Sequence, residues 1–86
     1  MNNLLKTKRF LKDLNKLPHF IRTRVFQRLS LFMTDSNNPL LNNHDLNHPW
    51  EGYKSINITG DIRLIYRQEG SFYRLARVGS HSELYS

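Results

Sequence analysis

Cysteine is absent from this 86-residue chain. No disulfide and no thiolate metal site can hold it, and a reducing compartment such as the cytosol suits it best. Long apolar runs are missing too. No stretch approaches the roughly 18 residues of a membrane span, and the opening "MNNLLKTKRFLKDLN" lacks the apolar region of a secretory signal. The chain is therefore expected to be soluble and cytoplasmic, with no membrane partner. Its 4 glycines are scattered, so there is no Gly-rich phosphate loop or dinucleotide fingerprint, and no nucleophile elbow is present. Acid is scarce in the first 34 residues, where Asp13 alone faces Lys6, Lys8, Arg9, Lys12, Lys16, Arg22, Arg24 and Arg28.

That charge distribution is the first positive signal. The net charge is +6, and the excess lies in the N-terminal part, as expected of a surface that meets a polyanion such as nucleic acid. A solvated, lysine-rich helix face is the competing explanation. The length fits one domain, residues 1–86, with a core that buries somewhat over ~60 % of the chain's surface.

Thr7 is an acceptable helix N-cap, and Phe10, Leu11, Leu14 and Leu17 follow it at helical spacing. Pro18 stops that helix and suits the first turn of a second one. In the second, Ile21, Val25, Leu29 and Met33 make a four-residue ladder, widened by Phe26 and Phe32. The two helices form a hairpin with one apolar side, which must cover something.

The stretch "DSNNPLLNNHDLNHPWEG" reads as an irregular connection, long enough to suggest a functional loop. After it the period becomes two. "YKSINIT" puts Ile56 and Ile58 on one face and Tyr53, Ser55 and Asn57 on the other. Turns at Gly60-Asp61 and Glu69-Gly70 lead into "IRLIYRQ" and "SFYRLARVG". The expected fold is α+β, with two N-terminal helices on one face of a small curved antiparallel sheet. Strict alternation puts Tyr73, Leu75 and Arg77 together on the last strand. The open face is then expected to carry Arg77 and Tyr73, with Lys54 or Asn57 on the first strand and the His44 loop near the edge.

The chemistry-bearing residues are scattered. His44 and His48 stand four apart in "HDLNH", but Pro49 and the Asn-rich setting favour a loop without an adjacent third ligand, so no metal is assigned. His44, Asp61, Arg77, His81 and Tyr85, with Lys54 and Arg63, include the types needed for RNA cleavage. A base takes the proton of a ribose 2′-OH, cations hold the phosphate oxygens, and an acid protonates the leaving 5′-oxygen. Histidine suits either proton-transfer role, because its ordinary pKa of about 6.5 leaves both forms present near neutrality. From spacing alone, a surface histidine explains His81 better than a catalytic one, and composition cannot overturn that.

Three motifs go further. "H-x-L…W-x-G-Y" covers His44 to Tyr53, "D-x-x-LIY" covers Asp61 to Tyr66, and "R-x-G-[ST]-H-x-x-L-[YF]" covers Arg77 to Tyr85. In this order and spacing, from about Lys8 to Tyr85, the chain resembles the RelE/ParE superfamily of bacterial toxin–antitoxin toxins, and most of all its YafQ-like branch. The resemblance implies the fold just described and a ribosome-dependent mRNA endoribonuclease. It implies cleavage without a metal or other cofactor, to a 2′,3′-cyclic phosphate and a 5′-hydroxyl. It also implies a cognate antitoxin, bound in a hetero-oligomer, with the ribosome and mRNA as the other partners.

Carried over by position, the resemblance implies that Asp61 is the base, His81 the acid and Arg77 the phosphate clamp, with His44 orienting the phosphate or sharing proton transfer. Tyr85 would stack a displaced base, with Lys54, Asn57 and Arg63 as further substrate contacts. Lys8, Arg9, Lys12, Lys16 and Arg22 would hold ribosomal RNA. Asn57 stands where the branch usually has a histidine, and its amide cannot move a proton at neutral pH. The alternatives are a ParE-like toxin that binds DNA gyrase without catalysis, and a catalytically weakened relative that serves as a binding module.

Overall fold

Thr7 fixes the start of the first helix and its attachment to the sheet. In the computed structural model, which describes residues 3–85, the Thr7 hydroxyl accepts from the Phe10 amide at 3.1 Å and caps α1 (Lys8–Asn15). The same hydroxyl donates to the Leu75 carbonyl at 2.9 Å. α2 (His19–Thr34) begins directly after Pro18. The Arg22 guanidinium donates to the Leu17 carbonyl at the α1–α2 junction, which gives this cation a structural partner.

Phe10 and Leu14 of α1 and Val25, Leu29 and Phe32 of α2 are buried against the sheet. Each such side chain contributes about 1.5–3 kcal/mol when fully buried. Met33 and Phe26, expected in the same ladder, are exposed at 39 % and 49 %. The face meeting the sheet is the i, i+4, i+7 set Val25, Leu29 and Phe32, which leaves those two residues to one side.

The sheet has five strands in the order β1-β5-β4-β3-β2. β3 (Lys54–Asn57), β4 (Ile62–Glu69) and β5 (Phe72–Ser80) form the expected antiparallel meander. Two short edge strands add to it. β1 (Leu4–Lys6) runs parallel to β5, which makes the sheet mixed, and β2 (His44–Asp45) pairs antiparallel with β3. Elements of three and two residues are too short to show a period. A short helix, α3 (His81–Tyr85), follows β5 directly. None of the helices described is long and apolar enough to cross a membrane.

β5 departs from simple alternation. Ile65 lies opposite Arg77 and Tyr66 lies opposite Leu75, so Ala76 is the extra residue of a β-bulge. Tyr73 and Leu75 face the helices before the bulge and Val78 faces them after it. Arg77 falls on the other face. The expected pairing of Tyr73 with Arg77 on the open face is therefore corrected. Tyr73 packs edge-on against Phe32, with ring centroids 5.0 Å apart, and Phe32 packs the same way against Tyr66 at 4.9 Å.

Candidate active site

α3 contributes side chains to two cavities. The first, about 320 Å³, is lined by Asn42, His44, Ser55, Arg63, His81 and Tyr85, with Leu46. The second, about 290 Å³, is lined by Arg9, Asp13, Lys16, Arg77, Gly79 and Glu83, among others.

The long connection builds one wall of the first cavity. Asn42 adopts a left-handed conformation (φ 45°), which asparagine tolerates better than most residues, and this turns the chain into β2. Its carbonyl lies 2.7 Å from Nδ1 of His44. A carbonyl only accepts, so in the neutral ring Nδ1 carries the proton and Nε2 holds the lone pair. Asn43 anchors the same stretch. Its Oδ1 accepts from the Tyr66 hydroxyl at 2.8 Å, while its Nδ2 donates to the Ser36 carbonyl at 2.9 Å. Burial pushes the Tyr66 hydroxyl up to about 12, against the opposing effect of the Asn43 bond.

The opposite wall is α3. Ser80 and Glu83 form a reciprocal cap at its start: the Ser80 amide donates to Glu83 Oε1 at 2.8 Å, and the Glu83 amide donates to Ser80 Oγ at 3.2 Å. The Ser80 donors hold the Glu83 carboxyl below its ordinary range. Gly79 leaves this cap room, since a Cβ there would lie 3.0 Å from Glu83 Oε1, tight enough to make the carboxylate shift by a few tenths of an ångström. One turn places His81 beside Tyr85, with ring centroids 4.6 Å apart. Trp50 ties the connection to α3 by donating from Nε1 to the Leu84 carbonyl at 3.2 Å.

β3 and β4 supply the floor. Ser55 and Asn57 alternate with the buried Ile56 and so share the face away from the helices. Arg63 pairs with Asn57 in register, and its Nη1 donates to the Thr59 and Gly60 carbonyls at 3.1 and 2.9 Å. Those bonds hold the guanidinium at the cavity wall.

His44, Arg63, His81 and Tyr85 thus come together, with Asn57 on the adjoining strand face. Asp61 does not line the cavity. It is exposed, and its contact with α3 is through the backbone, its carbonyl accepting from the His81 amide at 3.1 Å. Lys54 is on the opposite face of β3, paired with Asp45 at 2.9 Å. Arg77 belongs to the second cavity, where Asp13 grips it. Lys8, Arg9, Lys12 and Lys16 are exposed along α1, and Arg9 and Lys16 reach the rim of that second cavity. Among the described residues no three His, Asp or Glu side chains converge as metal ligands.

Several contributors were not among the sequence candidates. Asn42 and Asn43 read only as loop residues, Ser55 as a strand residue, and Asp13 as a lone acid in a basic helix. The run of adjacent asparagines was the one signal in the sequence for the first two.

Known proteins resemble this chain in sequence and share its fold. A curated relative, the mRNA interferase toxin YafQ of Escherichia coli strain B / BL21-DE3, is 28 % identical over 74 residues, or 86 % of this chain and 74 % of that protein. The crystal structure of YafQ from the same strain superposes with a TM-score of 0.84 at 19 % identity, covering 100 % of both chains. YafQ in the E. coli DinJ–YafQ complex superposes at 0.79, with 20 % identity and 100 % of both chains covered. The family model described as "Bacterial toxin of type II toxin-antitoxin system, YafQ" matches residues 2–86, and the chain belongs to that toxin family.

Proposed function

We propose that this protein is the toxin of a type II toxin–antitoxin pair and acts as a ribosome-dependent mRNA endoribonuclease in the cytoplasm. The observation that carries this reading is the convergence of His44, Arg63, His81 and Tyr85 on one cavity. Two imidazoles and a guanidinium meet the needs of phosphodiester cleavage by the RNA's own 2′-hydroxyl.

In that reaction a base removes the 2′-OH proton and the oxygen attacks the adjacent phosphorus. The 5′-oxygen leaves with a proton from the acid, giving a 2′,3′-cyclic phosphate and a 5′-hydroxyl. His44 takes the role of base, since its neutral ring has Nε2 free to accept. This departs from the assignment of that role to Asp61, whose side chain lies outside the cavity. His81 supplies the leaving-group proton, and Arg63 neutralises the phosphate oxygens. Tyr85, partly buried beside His81, offers a face on which a base can stack. Arg77, one cavity away, holds a neighbouring phosphate, and the α1 lysines engage ribosomal RNA. The E. coli relative was solved with DinJ, and a cognate antitoxin is the corresponding partner here.

Primer extension on a defined message, with and without ribosomes, tests the reading. Cuts that need ribosomes and vanish in His81→Ala support it. No cuts from folded wild-type protein would overturn it.

A further inference from the structure

The hairpin that joins β4 to β5 carries a cluster that the cleavage chemistry does not use. Arg67 and Arg74 stand opposite each other in register, so their guanidiniums share one face of the sheet. That face is the open one, since Leu64, Tyr66, Leu75 and Val78 fill the other. Arg63 and Arg77 lie on it as well. Every arginine after residue 34 is thus on the face that holds the His44–His81 cavity.

Like charges directly opposite in a sheet destabilise it. Here one acid holds both. Glu69 Oε2 accepts from Arg74 Nε at 2.8 Å and from Arg67 Nε at 2.9 Å, and Oε1 accepts from Arg74 Nη2 at 3.1 Å. Tyr53, which ends the first sequence motif, steadies Arg67 from another side, with the guanidinium carbon 4.9 Å from its ring centroid. Trp50 packs edge-on against that ring at 5.2 Å. A staple for the turn needs only one arginine. The second leaves the cluster with net positive charge, and both remain reachable, the Arg67 side chain 42 % exposed and that of Arg74 35 %. Neither Nη1 makes a hydrogen bond among the described residues. Two held, exposed guanidiniums suit a phosphate.

We propose that Arg67 and Arg74 together bind a second backbone phosphate of the message, at a linkage other than the one cut. The proposal rests on the nuclease reading above and extends it to the path of the strand. Arg67 lies four residues along β4 from Arg63, about 13 Å between their backbones. Their guanidiniums are bonded away from each other, Arg63 to the Thr59 and Gly60 carbonyls and Arg67 to Glu69, so one phosphate does not meet both. Because the pair shares its face with the cavity, its ligand is the strand that enters the cavity.

Cleavage kinetics at one codon of a ribosome-bound message test this. Arg67→Ala should raise KM about tenfold at unchanged kcat, as loss of a hydrogen bond to a charged group does. The same kinetics are measured on messages with a single neutral methylphosphonate at each linkage flanking the cut. One of these should raise KM for wild type by a similar factor, and at that linkage Arg67→Ala should cost nothing further.

An unchanged KM in Arg67→Ala, or an effect on kcat alone, would overturn the proposal. A scan in which no flanking linkage matters to wild type would overturn it without any variant, whatever Arg67→Ala does to folding. So would an Arg67→Ala penalty that persists at every neutralised linkage, which would turn the pair towards another partner. Wild type that cuts no message would instead strike the nuclease reading itself, so the two failures are separable.

Discussion

The Asp13 carboxylate binds Arg77 with both oxygens, Oδ2 to Nε at 2.6 Å and Oδ1 to Nη2 at 3.2 Å, across 64 positions of sequence. Oδ2 also accepts from the Val78 amide at 3.1 Å, and Arg9 stands 3.6 Å from Oδ1. One acid in a basic helix therefore satisfies an edge amide of β5 and fixes the direction of its arginine. Asp13→Ala should lower stability by about 3 kcal/mol, because it leaves a largely buried guanidinium and an amide unpaired. Chemical denaturation with an unchanged m-value would measure this. A loss under ~0.5 kcal/mol would mean the pair is only a surface contact.

The same carboxylate gives a pH signature. Burial raises the Asp13 pKa, but bonds from Arg77 and Val78, with Arg77 and Arg9 charge, outweigh it, and the carboxyl titrates below its ordinary range. A group whose folded pKa is depressed adds stability above the unfolded value, near 3.9, and loses it as pH falls through the folded value. Wild type should lose stability below about pH 4 more steeply than Asp13→Asn. Parallel acid melts of the two proteins would refute this.

Tyr66→Phe should cost about 1 kcal/mol by freeing Asn43 Oδ1, and should also slow cleavage because Asn43 leads directly into His44. The tyrosine predicts an alkaline limit as well. With its folded pKa raised to about 12, its contribution is complete below the unfolded value of about 10 and is lost as pH rises from there through 12. Tyr66→Phe should show a shallower decline in that window, read by denaturant midpoints.

His81→Ala should lower cleavage by about two orders of magnitude or more, as loss of a general acid does. The same variant should keep its melting temperature, because His81 is exposed and its side chain makes no hydrogen bond among the described residues. Near-wild-type cleavage would remove His81 from the mechanism.

Lys12 is exposed on α1 away from both cavities, so Lys12→Ala should weaken ribosome binding without moving the cut. The slope of log K against log salt should fall by about one. An unchanged slope would turn α1 towards another surface.

Much of the fold was legible because it rests on local rules. Thr7 caps α1 as its residue type suggests, Pro18 separates the helices, and the two turns delimit the meander. The missing pieces depend on contacts that no period reports. β1 and β2 exist only because β5 and β3 offer edges, and the bulge at Ala76 is a single extra residue that puts Tyr73 on the helix side while Arg77 keeps its expected open face. The site was legible in part for a related reason. Histidine, arginine and tyrosine announce their chemistry by type, so His44, Arg63, His81 and Tyr85 could be named. Arg77 and Lys54 could be named also, but their partners Asp13 and Asp45, which direct them elsewhere, were set by tertiary packing. Ser55 was silent, because a serine in a strand has no signature until its burial is known.

One side of β5 is closed in sequence by β1, the Thr7 hydroxyl and the Asp13 carboxylate, so a single strand is sheathed by backbone, alcohol and acid in turn. The sheet is left with outer edges of three and two residues. Edges that short offer too few free amides to template another chain. The fold can therefore leave Phe20, Phe26 and Leu40 in solvent with little risk of strand-on-strand polymerisation.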